Sequence, residues 1–205
     1  MGSPAFKIGC IILSGGKGSR LGREKAWVEL EGKSLLQIAV SNVEFLDSEI
    51  IIVKAPNREL PPISSEINIR IVHDSFAGKG PLAGIFTGLT SSRFQYNFVL
   101  ACDMPLLNKE LVTYMSSVAK PYDAVVPRPG DHLEPLQAIY SKGCIPEIEK
   151  LLSLDEKSVL EVFKRVHTRF VELSEIKRFD LSDTSFVNIN TLADLTKVTR
   201  YLKEG

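Results

Sequence analysis

Apolar and polar positions follow two periods along this chain, and their alternation sets the architecture to expect. Ile8-Gly9-Cys10-Ile11-Ile12-Leu13 is a continuous apolar run of strand length, the pattern of a strand covered on both faces. Asn97-Phe98-Val99-Leu100-Ala101-Cys102 repeats it. Glu49–Val53, Ile67–Val72, Asp123–Pro127 and Leu136–Tyr140 read as further strands. Between them the spacing turns helical. Lys33 to Val40 opens a helix with Ser34 as N-cap, and Gly80 to Leu89 carries Pro81 in its first turn. Asn108 caps a helix running to about Val118, and Ile145 to Leu152 is helical with Pro146 near its start. Pro56, Pro61 and Pro62 mark a surface loop.

The last quarter is less regular. Ser158 to Phe163 has helical spacing, while Phe170–Glu172 and Phe186–Ile189 read as short strands. Thr191-Leu192-Ala193-Asp194 is a capping box with aspartate in the acidic position. It leads a terminal helix with Leu195, Val198 and Leu202 on one face.

Strands alternating with helices predict a mostly parallel sheet with helices on both faces. Ligands of such sheets bind outside the carboxyl ends of the strands. The polar segments after Leu13, Val72 and Cys102 should therefore meet on one rim. There is no internal repeat, low-complexity tract or linker, and 205 residues suit a single domain, 1–205.

Charge changes this picture in one respect. The 25 basic and 25 acidic side chains cancel, so no global field favours nucleic acid or an anionic membrane. Any anion chemistry must be local. No apolar run reaches the ~18 residues of a membrane span, and the N-terminus lacks a signal-peptide layout; the expectation is a cytoplasmic protein. Cys10, Cys102 and Cys144 are widely spaced and form no C-x-x-C pair; Cys10 and Cys102 lie in apolar runs and read as small buried residues.

The local charge lies in Leu13-Ser14-Gly15-Gly16-Lys17-Gly18-Ser19-Arg20-Leu21-Gly22-Arg23-Glu24-Lys25. Clustered glycines admit positive φ and close approach of backbone to a ligand, and successive N–H groups in such a turn converge on anionic oxygens. Lys17, Arg20, Arg23 and Lys25 add cationic donors. Neither familiar phosphate loop fits. The Walker pattern needs Gly-Lys-Ser/Thr, but Gly22 is followed by Arg23, and the dinucleotide fingerprint needs glycine at Leu21.

The stretch resembles the Leu-Ala-Gly-Gly-x-Ser-x-Arg-Met-Gly-x-Asp-Lys signature of molybdenum cofactor guanylyltransferases. Leu13, Gly15, Gly16, Arg20, Gly22 and Lys25 match; Ser14, Gly18, Leu21 and Glu24 depart from it. Cys102-Asp103-Met104-Pro105 resembles the family's Cys-Asp-x-Pro, and Asp74 with Gly80-Pro81-Leu82-Ala83-Gly84 its Asp-(n)-Gly-Pro-Leu-Ala-Gly. Pro135-Leu136-Gln137-Ala138-Ile139-Tyr140 resembles its Pro-Leu-x-Ala-x-Tyr strand. Asn188-Ile189-Asn190-Thr191 resembles its Asn-x-Asn-Thr-Pro, with Leu192 where proline is usual.

The resemblance implies a three-layer α/β/α nucleotidyltransferase fold, Rossmann-like. Its nucleotide-binding half would span about 6–107 and its acceptor half, on the pterin side, about 108–205. It implies transfer of GMP from GTP to the terminal phosphate of molybdenum-bound molybdopterin, with release of pyrophosphate. Nucleotide-binding residues would be Leu13, Ser14, Gly15, Gly16, Lys25, Asn57, Asp74, Gly80 and Asp103. Arg20, Lys25 and Asp103 would be catalytic, with Asp103 holding Mg²⁺. Asn188 and Asn190, two apart on a strand, would face the pterin from one side. Contacts with other molybdenum cofactor biosynthesis proteins belong to the same expectation. His73 is assigned a structural role, and neither His132 nor His167 is needed as a base, since the attacking phosphate is already ionised. The alternatives are CTP with the same pterin, a sugar-phosphate acceptor, or a GTP-binding regulatory or scaffold protein without turnover.

Overall fold

The computed structural model describes residues 6–15, 24–76, 78–182 and 184–204. The strands are β1 Gly9–Leu13, β2 Glu29–Leu30, β3 Lys33–Ser34, β4 Ile50–Lys54, β5 Ile69–His73, β6 Tyr96–Ala101, β7 Ala124–Arg128, β8 Gln137–Ser141 and β9 Thr168–Glu172. The helices are α1 Leu35–Val43, α2 Pro81–Ser91, α3 Lys109–Ser117, α4 Ile145–Ser153, the short α5 Leu173–Ile176 and α6 Leu192–Glu204.

Seven strands form one sheet in the order β5-β4-β1-β6-β8-β7-β9. β1 pairs in parallel with β4 and β6, β4 with β5, and β7 with β9. The exception is β8, antiparallel to both β6 and β7. Only residues 129–136 join β7 to β8, too few for a parallel crossover, which needs a dozen or more.

Alternate residues of the inner strands feed two cores. Cys10, Ile12, Ile50, Ile52 and Leu100 pack with residues of α1 and α3, while Ile11, Leu13, Ile51, Val53 and Val99 pack with residues of α2 and α4. Continuous apolar sequence in these strands is the consequence of being covered twice. Gly88 lets α2 lie close on β1: a Cβ there would stand 2.5 Å from Ile11 Cγ2. Gly88→Ala should therefore destabilise the protein by about 1–3 kcal/mol through overpacking, read as a lower urea midpoint with an unchanged slope.

Helix starts follow the sequence closely. The Ser34 hydroxyl accepts from Gln37 N–H at 3.1 Å, and Asn108 Oδ1 from Leu111 N–H at 2.8 Å. The box at the head of α6 also forms: Asp194 Oδ2 accepts from Thr191 N–H at 2.8 Å, and Thr191 Oγ1 accepts from Asp194 N–H at 3.2 Å.

Four expectations change. Phe186–Ile189 is not a strand. It gives its Ile189 N–H to the Asp103 carbonyl at 2.9 Å, just past the end of β6, and joins no strand ladder. Asn188 and Asn190 therefore do not share a strand face. In α6, Val198 is buried but Leu202 is 48% exposed, outside the apolar stripe. Val159–Lys164 is a 3₁₀ turn rather than an α-helix. The fourth is an element without an apolar pattern to announce it. Glu31 (φ 51°) and Gly32 (φ 76°) make the two-residue turn between β2 and β3, the positive-φ pair that a tight hairpin requires.

All three cysteines are buried and free, and burial pushes the Cys102 and Cys144 thiols up to about 12. No helix among the described residues is long and apolar enough to cross a membrane.

Candidate active site

The carboxyl ends of β1, β4, β5 and β6 open on a cavity of about 520 Å³. Leu13, Gly15, Lys25, Asp74, Gly80 and Asp103 all line it, so the segments after the three strands do meet on one rim. Gly16 and Arg20 lie outside the described residues, as do Lys17, Gly18, Gly22 and Arg23.

Ser14 anchors the start of the loop. It is 4% exposed, and its N–H and hydroxyl both donate to the Val53 carbonyl, at 3.0 and 2.9 Å. Both donors are thus engaged within the protein, and Ser14 fixes the loop's departure from the sheet. Gly15 differs. A Cβ there would meet nothing within 4 Å, so its surface opens into the cavity.

The chain returns at Lys25, which starts a 3₁₀ turn over Lys25–Trp27. The β2–β3 hairpin follows and delivers the chain to α1, Leu35 N–H donating to the Val28 carbonyl at 2.8 Å. Across the cavity, Cys102 N–H donates to the Leu13 carbonyl at 3.1 Å, which holds the end of β6 beside β1. Lys25 Nζ forms an ion pair with Asp103 Oδ2 and donates to Asn190 Oδ1 at 2.6 Å. The two charged side chains are only 16% and 11% exposed. Water screens this pair poorly, and removing either partner strands the other's charge.

Asn190 owes its place to the cap of α6, because Asp194 Oδ2 also accepts from Asn190 N–H at 3.0 Å. The Asn190 N–H and then the Thr191 side chain hold the Asp194 carboxyl below the usual aspartate range. A depressed pKa stabilises the fold above the unfolded carboxyl range, and that contribution disappears as pH falls through the folded pKa. Asp194→Ala should cost about 1 kcal/mol as the loss of a cap, visible as a lower melting temperature at pH 7 that converges on wild type in acid. Asn188 stands apart: among the described residues its amide donates only to the Phe186 carbonyl, at 3.5 Å, and it does not line the cavity.

At the other end of the cavity, Asp74 N–H donates to the Lys54 carbonyl at 2.8 Å. Asp74 Oδ1 accepts from Phe76 N–H at 3.0 Å and from the Thr87 hydroxyl at 3.4 Å, which fixes the carboxylate. Gly80, the N-cap of α2, has φ 73° and ψ −163°, a conformation open essentially to glycine alone. It lets Pro81 begin the helix and turns the helix N-terminus, with its partial positive charge, toward the cavity. Asn57 is exposed and not in the cavity wall; its neighbours Ala55 and Arg58 are.

Three residues with a place at this site were not singled out from the sequence. Lys54 lines the cavity at the end of β4, where a strand end facing the rim was itself a signal. Arg58 also lines it, and its Nε lies 3.4 Å from Glu24 Oε1. That pair accounts for Glu24, which departs from the loop signature: the carboxylate ties the returning loop to the turn after β4. Glu134 is 14% exposed on its side chain and 3.2 Å from His132. Burial holds its carboxyl above the usual range, against the lowering effect of His132, and the nearby Asp103 charge adds to the rise.

The comparisons with known proteins agree with this geometry. Residues 10–169 match the MobA-like NTP transferase domain. A protein of Methanosarcina mazei named "Probable molybdenum cofactor guanylyltransferase" is 40% identical over 203 residues, 95% of this chain and 91% of its own. The crystal structure of molybdopterin-guanine dinucleotide biosynthesis protein A from Archaeoglobus fulgidus superposes with a TM-score of 0.80 at 25% identity, covering 97% of this chain and all (100%) of that one. The 2-C-methyl-D-erythritol 4-phosphate cytidylyltransferase of Thermus thermophilus shares the fold, with a TM-score of 0.70 at 15% identity over 98% and 100% of the two chains. The match over residues 10–169 and the 40% identity over nearly the full length settle the lineage: this chain belongs to the molybdenum cofactor guanylyltransferase family of MobA-like NTP transferases.

Proposed function

We propose that this protein transfers GMP from GTP to the terminal phosphate of molybdenum-bound molybdopterin, releasing pyrophosphate. The observation that carries the reading is the junction of Lys25, Asp103 and Asn190. It joins the glycine-rich loop, the end of β6 and the segment before α6 at one point, where a nucleotide phosphate and an acceptor phosphate could meet. The nucleotide lies over residues of the first half, about 6–107, and the acceptor approaches from the second, about 108–205.

Two anionic reactants must be aligned and their charge neutralised, with little covalent work for the protein. Gly15 N–H and the Lys25 ammonium are the described donors for charge on the transferring phosphoryl group; Gly16 and Arg20 complete that set by resemblance. The attacking phosphate is ionised near neutral pH, so no side chain has to remove a proton. Glu134, adjacent to this centre, need not act as a base. Asn190 positions Lys25, and Asn188 is retained as a pterin-side residue only by resemblance.

Asp103 would hold Mg²⁺. Among the described residues no three His, Cys, Asp or Glu gather to form a complete metal site. One carboxylate at an open cavity suits an ion that keeps several waters and takes its other ligands from phosphates. That ion would supply further neutralisation of phosphate charge. The reaction uses soluble substrates and we assign it to the cytoplasm, alongside the proteins that make and receive the cofactor.

A thermal-shift screen of the four NTPs with Mg²⁺ tests the nucleotide half of this reading, since a ligand bound only by the folded state must stabilise it. GTP should raise the melting temperature most. A larger shift with CTP would overturn the guanylyl assignment.

A further inference from the structure

The described site leaves one cavity cation without a role. Lys54 ends β4 and lines the cavity beside Leu13, Val53 and Asp74. Among the described residues its ammonium has no carboxylate within ion-pair distance; its hydrogen bond is to the Arg58 carbonyl, at 2.5 Å. An ammonium carries three protons, so two remain for a ligand. Asp74, on the neighbouring strand's end, keeps Oδ2 without a hydrogen-bond partner among the described residues.

We propose that Lys54 is a specificity-determining residue, donating to the O6/N7 edge of guanine while Asp74 accepts from the N1–H and N2–H groups. The inference rests on the guanylyl reading and deepens it. The strand order places the two ends of the nucleotide. Asp103 follows β6 and Asp74 follows β5, with β1 and β4 between. Three spacings of about 4.8 Å separate those strands by roughly 14 Å. Phosphates gather at the β6 and β1 end, where Lys25 and Gly15 stand. They are disfavoured at the β5 end, where the Asp74 carboxylate would repel them. A group carrying both acceptors and donors belongs there instead. Guanine presents O6 and N7 as acceptors beside N–H donors, and lysine and arginine are the usual partners of that acceptor pair. Cytosine offers an amino donor where guanine has O6, which an ammonium cannot satisfy. Leu13 and Val53 supply apolar surface for the ring.

The rival role for Lys54 is a clamp on the 55–58 turn through the Arg58 carbonyl. Calorimetric titration of GTP and of 7-deaza-GTP, which lacks the N7 acceptor but keeps N1–H and N2–H for Asp74, separates the two. Wild type should bind GTP about tenfold tighter than the analogue. In Lys54→Met that ratio should fall to within about twofold, and Lys54→Arg should keep it, because its guanidinium can still reach O6 and N7. The ratio is independent of the folded fraction, so a partly unfolded variant still reports. A Lys54→Met protein that weakens for both ligands equally, keeping the wild-type ratio, would overturn the inference and leave a turn clamp. CTP is titrated alongside. Tighter binding of CTP than GTP by wild type would instead remove the guanylyl reading, and this inference with it.

Discussion

Asp103→Asn should lower turnover by ~10²-fold or more, with the fold retained. The substitution keeps the size and hydrogen-bonding reach of the side chain but removes the carboxylate that pairs with Lys25 at the β6 end of the cavity. Two consequences separate this from a folding defect. The asparagine amide oxygen still offers Lys25 an acceptor beside Asn190 Oδ1, which alanine does not, so the melting temperature should change by little compared with Asp103→Ala. The dependence of rate on Mg²⁺ concentration should also weaken, since an amide is a poorer ligand for a hard cation than a carboxylate. Pyrophosphate release measured across a Mg²⁺ series reads both effects. Near-wild-type turnover in a folded Asp103→Asn protein would remove Asp103 from the chemistry.

The second large effect belongs to Lys25. Lys25→Met keeps most of the apolar stem and deletes the charge, and should also cost ~10²-fold or more in turnover. Its signature differs. The loss should fall on kcat more than on KM if the ammonium acts mainly on charge that develops during transfer. Asp103 in this variant is a poorly solvated carboxylate without its cation. Stability should drop relative to wild type and recover when Mg²⁺ is added, because the ion binds only the folded protein. A Lys25→Met enzyme with raised KM and unchanged kcat would make Lys25 a ground-state anchor only.

The sequence was most informative where burial and backbone chemistry agree. Runs covered on both faces, Ile11–Leu13 and Phe98–Ala101, stand out because no polar position interrupts them. Helix starts were legible because Ser34, Asn108 and Thr191 carry their caps in the side chain itself. The rim rule alone brings Leu13, Asp74 and Asp103 together. What escaped depends on partners distant in sequence. Phe186–Ile189 has strand composition, but its Ile189 N–H goes to Asp103, far back along the chain and outside the sheet ladder. Glu24 departs from the loop signature, and its ion-pair partner, Arg58, is distant in sequence. The Ser14 donors are engaged by Val53 on the adjacent strand, 39 residues on. Asn57 and Lys54 sit three residues apart; Asn57 is exposed while Lys54 lines the cavity.

The central claim is tested most directly by product analysis. The protein is incubated with Mg²⁺, molybdenum-bound molybdopterin and an equimolar mixture of GTP and CTP, and the pterin products are weighed by mass spectrometry as pyrophosphate accumulates. A predominant guanine dinucleotide, formed one-for-one with pyrophosphate, is the predicted result. A cytosine dinucleotide in excess, or GTP bound with no pyrophosphate and no dinucleotide, would contradict it.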